Sequence, residues 1–126
     1  MDVGKQIAHW MKGADEDLAV AQSLLNDERI RHALFFAELA VEKALKALVT
    51  KETNDVPPKT HDLLRLAALA NISLPDHRKK TMARIQQFSL EGRYPDFIPV
   101  VMSPQDASAA FADCRELVIW LKSLLS

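Results

Sequence analysis

The sequence predicts an all-α protein, an antiparallel up-and-down bundle of four or five helices in a single domain over residues 1–126. Three observations lead there. Apolar residues recur at helical spacing through most of the chain, and no alternating strand pattern, repeat or low-complexity tract competes. Glycine occurs three times while Ala, Leu, Lys and Glu abound, a composition that favours helix. Prolines fall between the periodic segments or in their first turns, where a helix tolerates them.

The first segment, about Val3 to Leu25, puts Val3, Ile7, Trp10, Met11, Ala14, Leu18, Ala21 and Leu25 on one stripe. Lys5, His9, Lys12, Glu16 and Ser23 fill the opposite face, so this is an amphipathic surface helix. Asn26-Asp27-Glu28 ends it without a glycine cap. The second segment, about Arg29 to Lys51, is apolar on two sides. Ala33, Leu34, Ala37, Ala40, Val41, Ala44, Leu45 and Leu48 form the broad face. Phe35 and Leu39 lie opposite, among Glu38, Glu42, Lys43 and Lys46. Such a helix is either central in the bundle or part of a subunit interface. Phe35 and Leu39 are therefore the candidate interface residues.

Two successive prolines keep residues 52–60 out of helix. Thr60 is expected to cap a short helix that turns Leu63, Leu64, Leu66 and Leu69 inward. Asn71-Ile72-Ser73 breaks it. Pro75 stands just inside the start of a fourth helix reaching to about Leu90, with Met82, Ile85 and Phe88 in the core. An irregular stretch follows from Glu91 to Met102. Ser103 caps the last helix, Pro104 takes its first position and Asp106 lies in its positive first turn. That helix buries Ala107, Ala110, Phe111, Cys114, Leu117, Val118, Leu121 and Leu125.

At 48% hydrophobic and 26% charged residues, the chain has an ordinary globular composition and is long enough for a real core. No run approaches the roughly 18 apolar residues of a membrane span, and the N-terminus does not read as a signal peptide. A cytoplasmic location without membrane attachment is the expectation. Cys114 is the single cysteine, which excludes an intrachain disulfide and a cysteine metal cluster. His9, His32 and His77 have no partners at metal-ligand spacing, so no metal or cofactor is expected. Net charge is −1, but residues 31–96 carry eleven Lys or Arg against eight Asp or Glu between acidic flanks. An anion site belongs in that middle segment.

Two loops depart from plain bundle logic there. Lys59-Thr60-His61-Asp62 brings Lys and His to a helix N-terminus, where free N–H groups suit an anion. The structural alternative has Thr60 capping, Asp62 complementing the helix dipole and His61 packing or facing water. In Glu91-Gly92-Arg93-Tyr94-Pro95-Asp96, a guanidinium can fork onto phosphate and a tyrosine ring can stack on a base. Alternatively, Arg93 and Asp96 pair to fix the loop. A loop of roughly 12 residues is long for a bundle, and long loops tend to be functional. On the second helix, Glu42 and Lys46 read as a solvated ion pair four residues apart. There is no glycine-rich phosphate loop or nucleophile elbow, so spacing alone indicates no enzyme.

The chain resembles the HEPN family. The resemblance runs from Trp10, Ala14, Asp17, Leu18 and Ala21 through Ala33–Leu48 and Lys59-Thr60-His61-Asp62-Leu63. It ends with Arg93-Tyr94-Pro95-Asp96 and Trp120-Leu121. It implies a bundle that forms a homodimer, often encoded beside a minimal nucleotidyltransferase in a toxin–antitoxin pair. Many members are metal-independent endoribonucleases, marked by Arg followed after four to six residues by His. This chain departs from that signature, because Ile98, Pro99 and Val100 stand where the histidine after Arg93 would fall. The expected function is therefore a nucleotide-binding, RNA-binding or partner-binding module, with Lys59, Thr60, His61, Arg93, Tyr94 and Asp96 as ligand-binding candidates. The alternative is an endoribonuclease toxin with a composite dimer site, in which Arg93 and His61 are the catalytic candidates.

Overall fold

The computed structural model describes residues 1–93 and 102–126, with side chains described outside 90–93. Five helices follow in order: α1 (Val3–Asn26), α2 (Ile30–Thr53), α3 (Leu63–Leu69), α4 (Asp76–Arg93) and α5 (Pro104–Ser123). No strand occurs among the described residues. The predicted all-α bundle is the observed fold.

Cross-helix contacts fix the directions. Trp10 lies against Lys46 and Gly13 against Lys43, so α1 runs antiparallel to α2. The Lys51 ammonium donates to the Leu125 carbonyl at 3.0 Å, joining the C-terminal ends of α2 and α5. Arg78 forks onto Glu116 at 2.7 and 3.1 Å, and Arg84 meets Asp113 at 2.8 Å, so α4 runs antiparallel to α5. Burial is slight at Glu116, yet hydrogen bonds from Arg78 hold its carboxyl below the usual carboxylate range. The Arg78 guanidinium also lies over the Trp120 ring, 4.1 Å from its centre, a cation–π contact between α4 and α5.

The core sits around α2, which touches every other helix. Its small residues explain how: Ala33, Ala37, Ala40, Ala44 and Ala47 are fully buried and let neighbours approach closely. The two-sided apolarity of this helix therefore reflects a central position. Phe35 and Leu39 are half-buried within one subunit, which leaves less free apolar surface than their spacing suggests. Met82, Ile85 and Phe88 from α4, and Ala107, Ala110, Phe111, Cys114, Leu117, Val118 and Leu121 from α5, are buried as expected, and Leu125 is half-buried. Burial pushes the Cys114 thiol far up, so it remains a neutral core side chain.

Several expectations are corrected. Leu64 and Leu69 point outward, because a helix of seven residues has room for one inward stripe, taken by Leu63, Leu66 and Ala67. Helix α4 begins after Pro75 and runs on to Arg93, so Glu91 and Gly92 are helical rather than irregular. Non-glycine residues in left-handed conformation lie just past three helix ends: Glu28 (φ 59°), Asn54 (φ 54°) and Asn71 (φ 57°). This shows how the chain turns without glycine caps. Ser103 does cap α5, accepting from the Asp106 N–H at 3.1 Å.

Thr60 is not the cap of α3. That role belongs to Asp62, whose carboxylate accepts from the Arg65 N–H at 3.2 Å. Thr60 instead accepts from the Asp62 N–H at 3.2 Å, a hydroxyl turn that bends the chain into the capping position. Asp62→Ala is therefore expected to cost about 1 kcal/mol, and Thr60→Ala clearly less. Urea unfolding of the two variants is the check, and a larger loss in Thr60→Ala would return the cap to that residue.

Candidate functional site

Glu38, Glu42 and Lys46 follow each other at four-residue intervals and form one line along α2. Helical spacing predicts that line to face water. It does not: Trp10 of α1 covers Lys46, and His61 of the connection between α2 and α3 reaches Glu42. Glu38 is 0% exposed, Glu42 2% and Lys46 8%. The Glu42–Lys46 ion pair expected from spacing is present, with nitrogen and oxygen 3.2 Å apart, but it is buried rather than solvated.

A charge in the interior must be paired on every side, and for Glu42 and Lys46 the surrounding residues supply those partners. Glu42 Oε2 takes Lys46, and Glu42 Oε1 lies 2.9 Å from Nδ1 of His61. The Lys46 ammonium rests over the Trp10 ring, 5.5 Å from its centre, so its other side faces an aromatic surface. Three positions nearer the α2 N-terminus than Lys46, Lys43 meets Asp17 of α1 at 2.8 Å. Asp17 is buried on the stripe that otherwise packs α1 against the core. Gly13 leaves room for that second pair, because a Cβ there would come within 3.1 Å of the Lys43 side chain and press on it. The result is a seam of linked charges between α1 and α2, opening to solvent at His61.

His61 reaches the seam because Pro57 is buried and the connection folds back across α2. The next turn is tied to α4, where the side-chain amide oxygen of Gln86 accepts from the Leu63 N–H at 2.7 Å. The His61 side chain stays 54% exposed while its Nδ1 is tied to a carboxylate only 3% exposed. A half-exposed imidazole anchored on one nitrogen can present the other to a ligand. Lys59, two residues earlier, is exposed, and Thr60 is half-buried.

The structure thus brings His61 together with Glu42, Lys46 and Trp10. Neither Glu42 nor Lys46 reads as a site residue from spacing alone. Asp17 gave a legible signal, an acidic residue in the middle of an apolar stripe. Arg93 is placed by its backbone only, at the end of α4, about two turns (~10 Å) beyond Gln86. Its side chain, and all of Tyr94 and Asp96, lie outside the described residues, so this part of the predicted site is not located. His9, His32 and His77 are exposed. Among the described residues, no three His, Cys, Asp or Glu side chains gather as a metal site.

A shallow pocket of about 220 Å³ lies beside the seam, between His9, Trp10, Lys12, Gly13, Glu16 and Lys43. A second, of about 290 Å³, lies at the C-terminal ends of α2 and α5, with Leu48, Ile72, Trp120 and Leu124 among its lining. Neither includes His61. Among the described residues, no helix is long and apolar enough to cross a membrane.

Comparison with known proteins places this architecture. The crystal structure of TT1696 from Thermus thermophilus superposes with a TM-score of 0.81 at 22% identity, covering 94% of this chain and 97% of that one. ST0689, described as an archaeal HEPN homologue, gives a TM-score of 0.74 at 19% identity, with 95% and 98% covered. At such identities the likeness concerns the fold. No curated protein matches the chain. The model of the HEPN domain matches residues 7–124, which include every charge of the seam. The chain belongs to the HEPN domain family.

Proposed function

We propose that the chain is a HEPN-type binding module for the phosphate-bearing groups of a nucleotide or RNA, acting beside a minimal nucleotidyltransferase in a toxin–antitoxin pair. The observation that carries this reading is the anchored His61, a half-exposed imidazole held by a buried carboxylate next to exposed Lys59. Stability alone is a weak reason for such an arrangement, because buried ion pairs seldom outperform apolar packing of the same volume. Lys59 supplies a mobile cation for phosphate. His61 supplies a directed ring nitrogen beside it. Arg93 and Tyr94, with Asp96 beside them, complete the reading as a phosphate fork and a base platform.

Titration of the purified protein with oligoadenylate RNA and with adenosine monophosphate tests this. Lys59→Ala and His61→Ala are each expected to weaken binding about tenfold, near 1.4 kcal/mol. Absence of binding by wild type up to millimolar ligand removes the reading.

The contact between Glu42 and His61 also favours a second reading, RNA cleavage. A carboxylate that orients an imidazole is what a general base for a 2′-hydroxyl requires. Total RNA incubated with protein and excess chelator separates the two: cleavage by wild type that is lost in His61→Ala establishes the enzyme, and intact RNA leaves the binding module.

The module is proposed to act as a homodimer through Phe35 and Leu39, which remain half-exposed on α2. Light scattering is expected to report a dimer for wild type and a monomer for the Phe35→Glu, Leu39→Glu variant. Circular dichroism must show that the variant keeps its helices. A wild type that is monomeric at high micromolar concentration rules this out.

A further inference from the structure

The two nitrogens of His61 are not equivalent. Glu42 has Lys46 on one oxygen and His61 on the other, 3.2 and 2.9 Å away. A carboxylate beside an ammonium is ionised and can only accept hydrogen bonds, so the proton between Glu42 and His61 belongs to Nδ1. In the neutral ring this leaves Nε2 without a proton. Nε2 makes no hydrogen bond among the described residues, and the side chain around it is half-exposed. Free histidine prefers the opposite tautomer, with the proton on Nε2.

We propose that Glu42 is a positioning residue, which fixes His61 so that Nε2 faces the ligand as a hydrogen-bond acceptor. The proposal rests on the binding reading above and specifies it. Lys59 takes the phosphate, and neutral His61 takes a donor group of the same nucleotide. A ribose hydroxyl is the donor that every nucleotide of an RNA offers, whatever its base. Lys46 acts one step behind by holding the other oxygen of Glu42, and the Trp10 ring holds Lys46 from its far side.

The experiment is nitrogen NMR of histidine-labelled protein at a pH where the ring is neutral, with the His61 signals assigned by their loss in His61→Asn. Wild type is expected to carry its proton on Nδ1, and Glu42→Gln to shift His61 toward the Nε2-protonated form. On adding oligoadenylate RNA, the wild-type Nε2 resonance is expected to move as an acceptor does on gaining a hydrogen bond. Glu42→Gln is expected to weaken RNA binding about tenfold, and His61→Asn to match that loss without a further loss in the double variant. An Nε2-protonated ring in wild type overturns the proposal. So does RNA binding that leaves Nε2 unmoved, which would make the contact a structural tether only. If the Nδ1 proton is found but no RNA or nucleotide binds, the binding reading falls. The positioning role of Glu42 is then supported by the tautomer alone.

Discussion

Burying the Glu42 carboxylate beneath the connection that carries His61 constrains everything around it, because an uncompensated charge in that position would cost several kcal/mol. Each of its oxygens must therefore meet a donor. One is met within α2 by Lys46, a turn away, which costs the chain nothing in topology. The other must come from outside the helix, and His61 supplies it from a loop nineteen residues downstream. That requirement draws the connection after α2 back across the helix. It also brings Lys59 to the same edge, and the Gln86 bond to Leu63 fixes α3 against α4 just beyond it.

Helix α1 is bound by the same constraint from its other side. Its Trp10 covers Lys46, its Asp17 answers Lys43, and its Gly13 removes the one Cβ that would press on the Lys43 stem. The pairings are specific in register, since a slide of α1 by one turn would separate both contacts at once. An apolar seam would tolerate such a slide more readily. Polar pairing of this kind is best understood as selecting one alignment, at a cost in stability, and the alignment it selects is the one that supports His61.

How much of this was legible in the sequence depends on which physical signal each residue carried. The long helices were, because α1, α2 and α5 repeat apolar residues at helical spacing over many turns, and Ser103-Pro104 marks a start unambiguously. The core positions Met82, Ile85 and Phe88 were legible for the same reason. The cap of α3 was not: Thr60 and Asp62 are both good caps two residues apart, and only the backbone decides between them. Nor was the burial of Glu38, Glu42 and Lys46. A charged line along a helix is normally its wet side, and its covering depends on a tertiary contact made by residues far away. His61 was legible as a candidate from its place before a helix, yet its partner was not, since nothing in spacing links it to Glu42.

Helix α2 is apolar on two sides. Central position accounts for most of it, because the helix touches α1, α3, α4 and α5. What remains is confined to the N-terminal half, where Phe35 packs edge-on against Phe36, 5.4 Å between ring centres, and Leu39 lies one turn on. The charged seam occupies the following two turns of the same helix. A contact made through Phe35 and Leu39 would thus sit next to Glu42 rather than remote from it. One helix would then carry both surfaces, and whatever docks at the first would border the edge where His61 meets solvent.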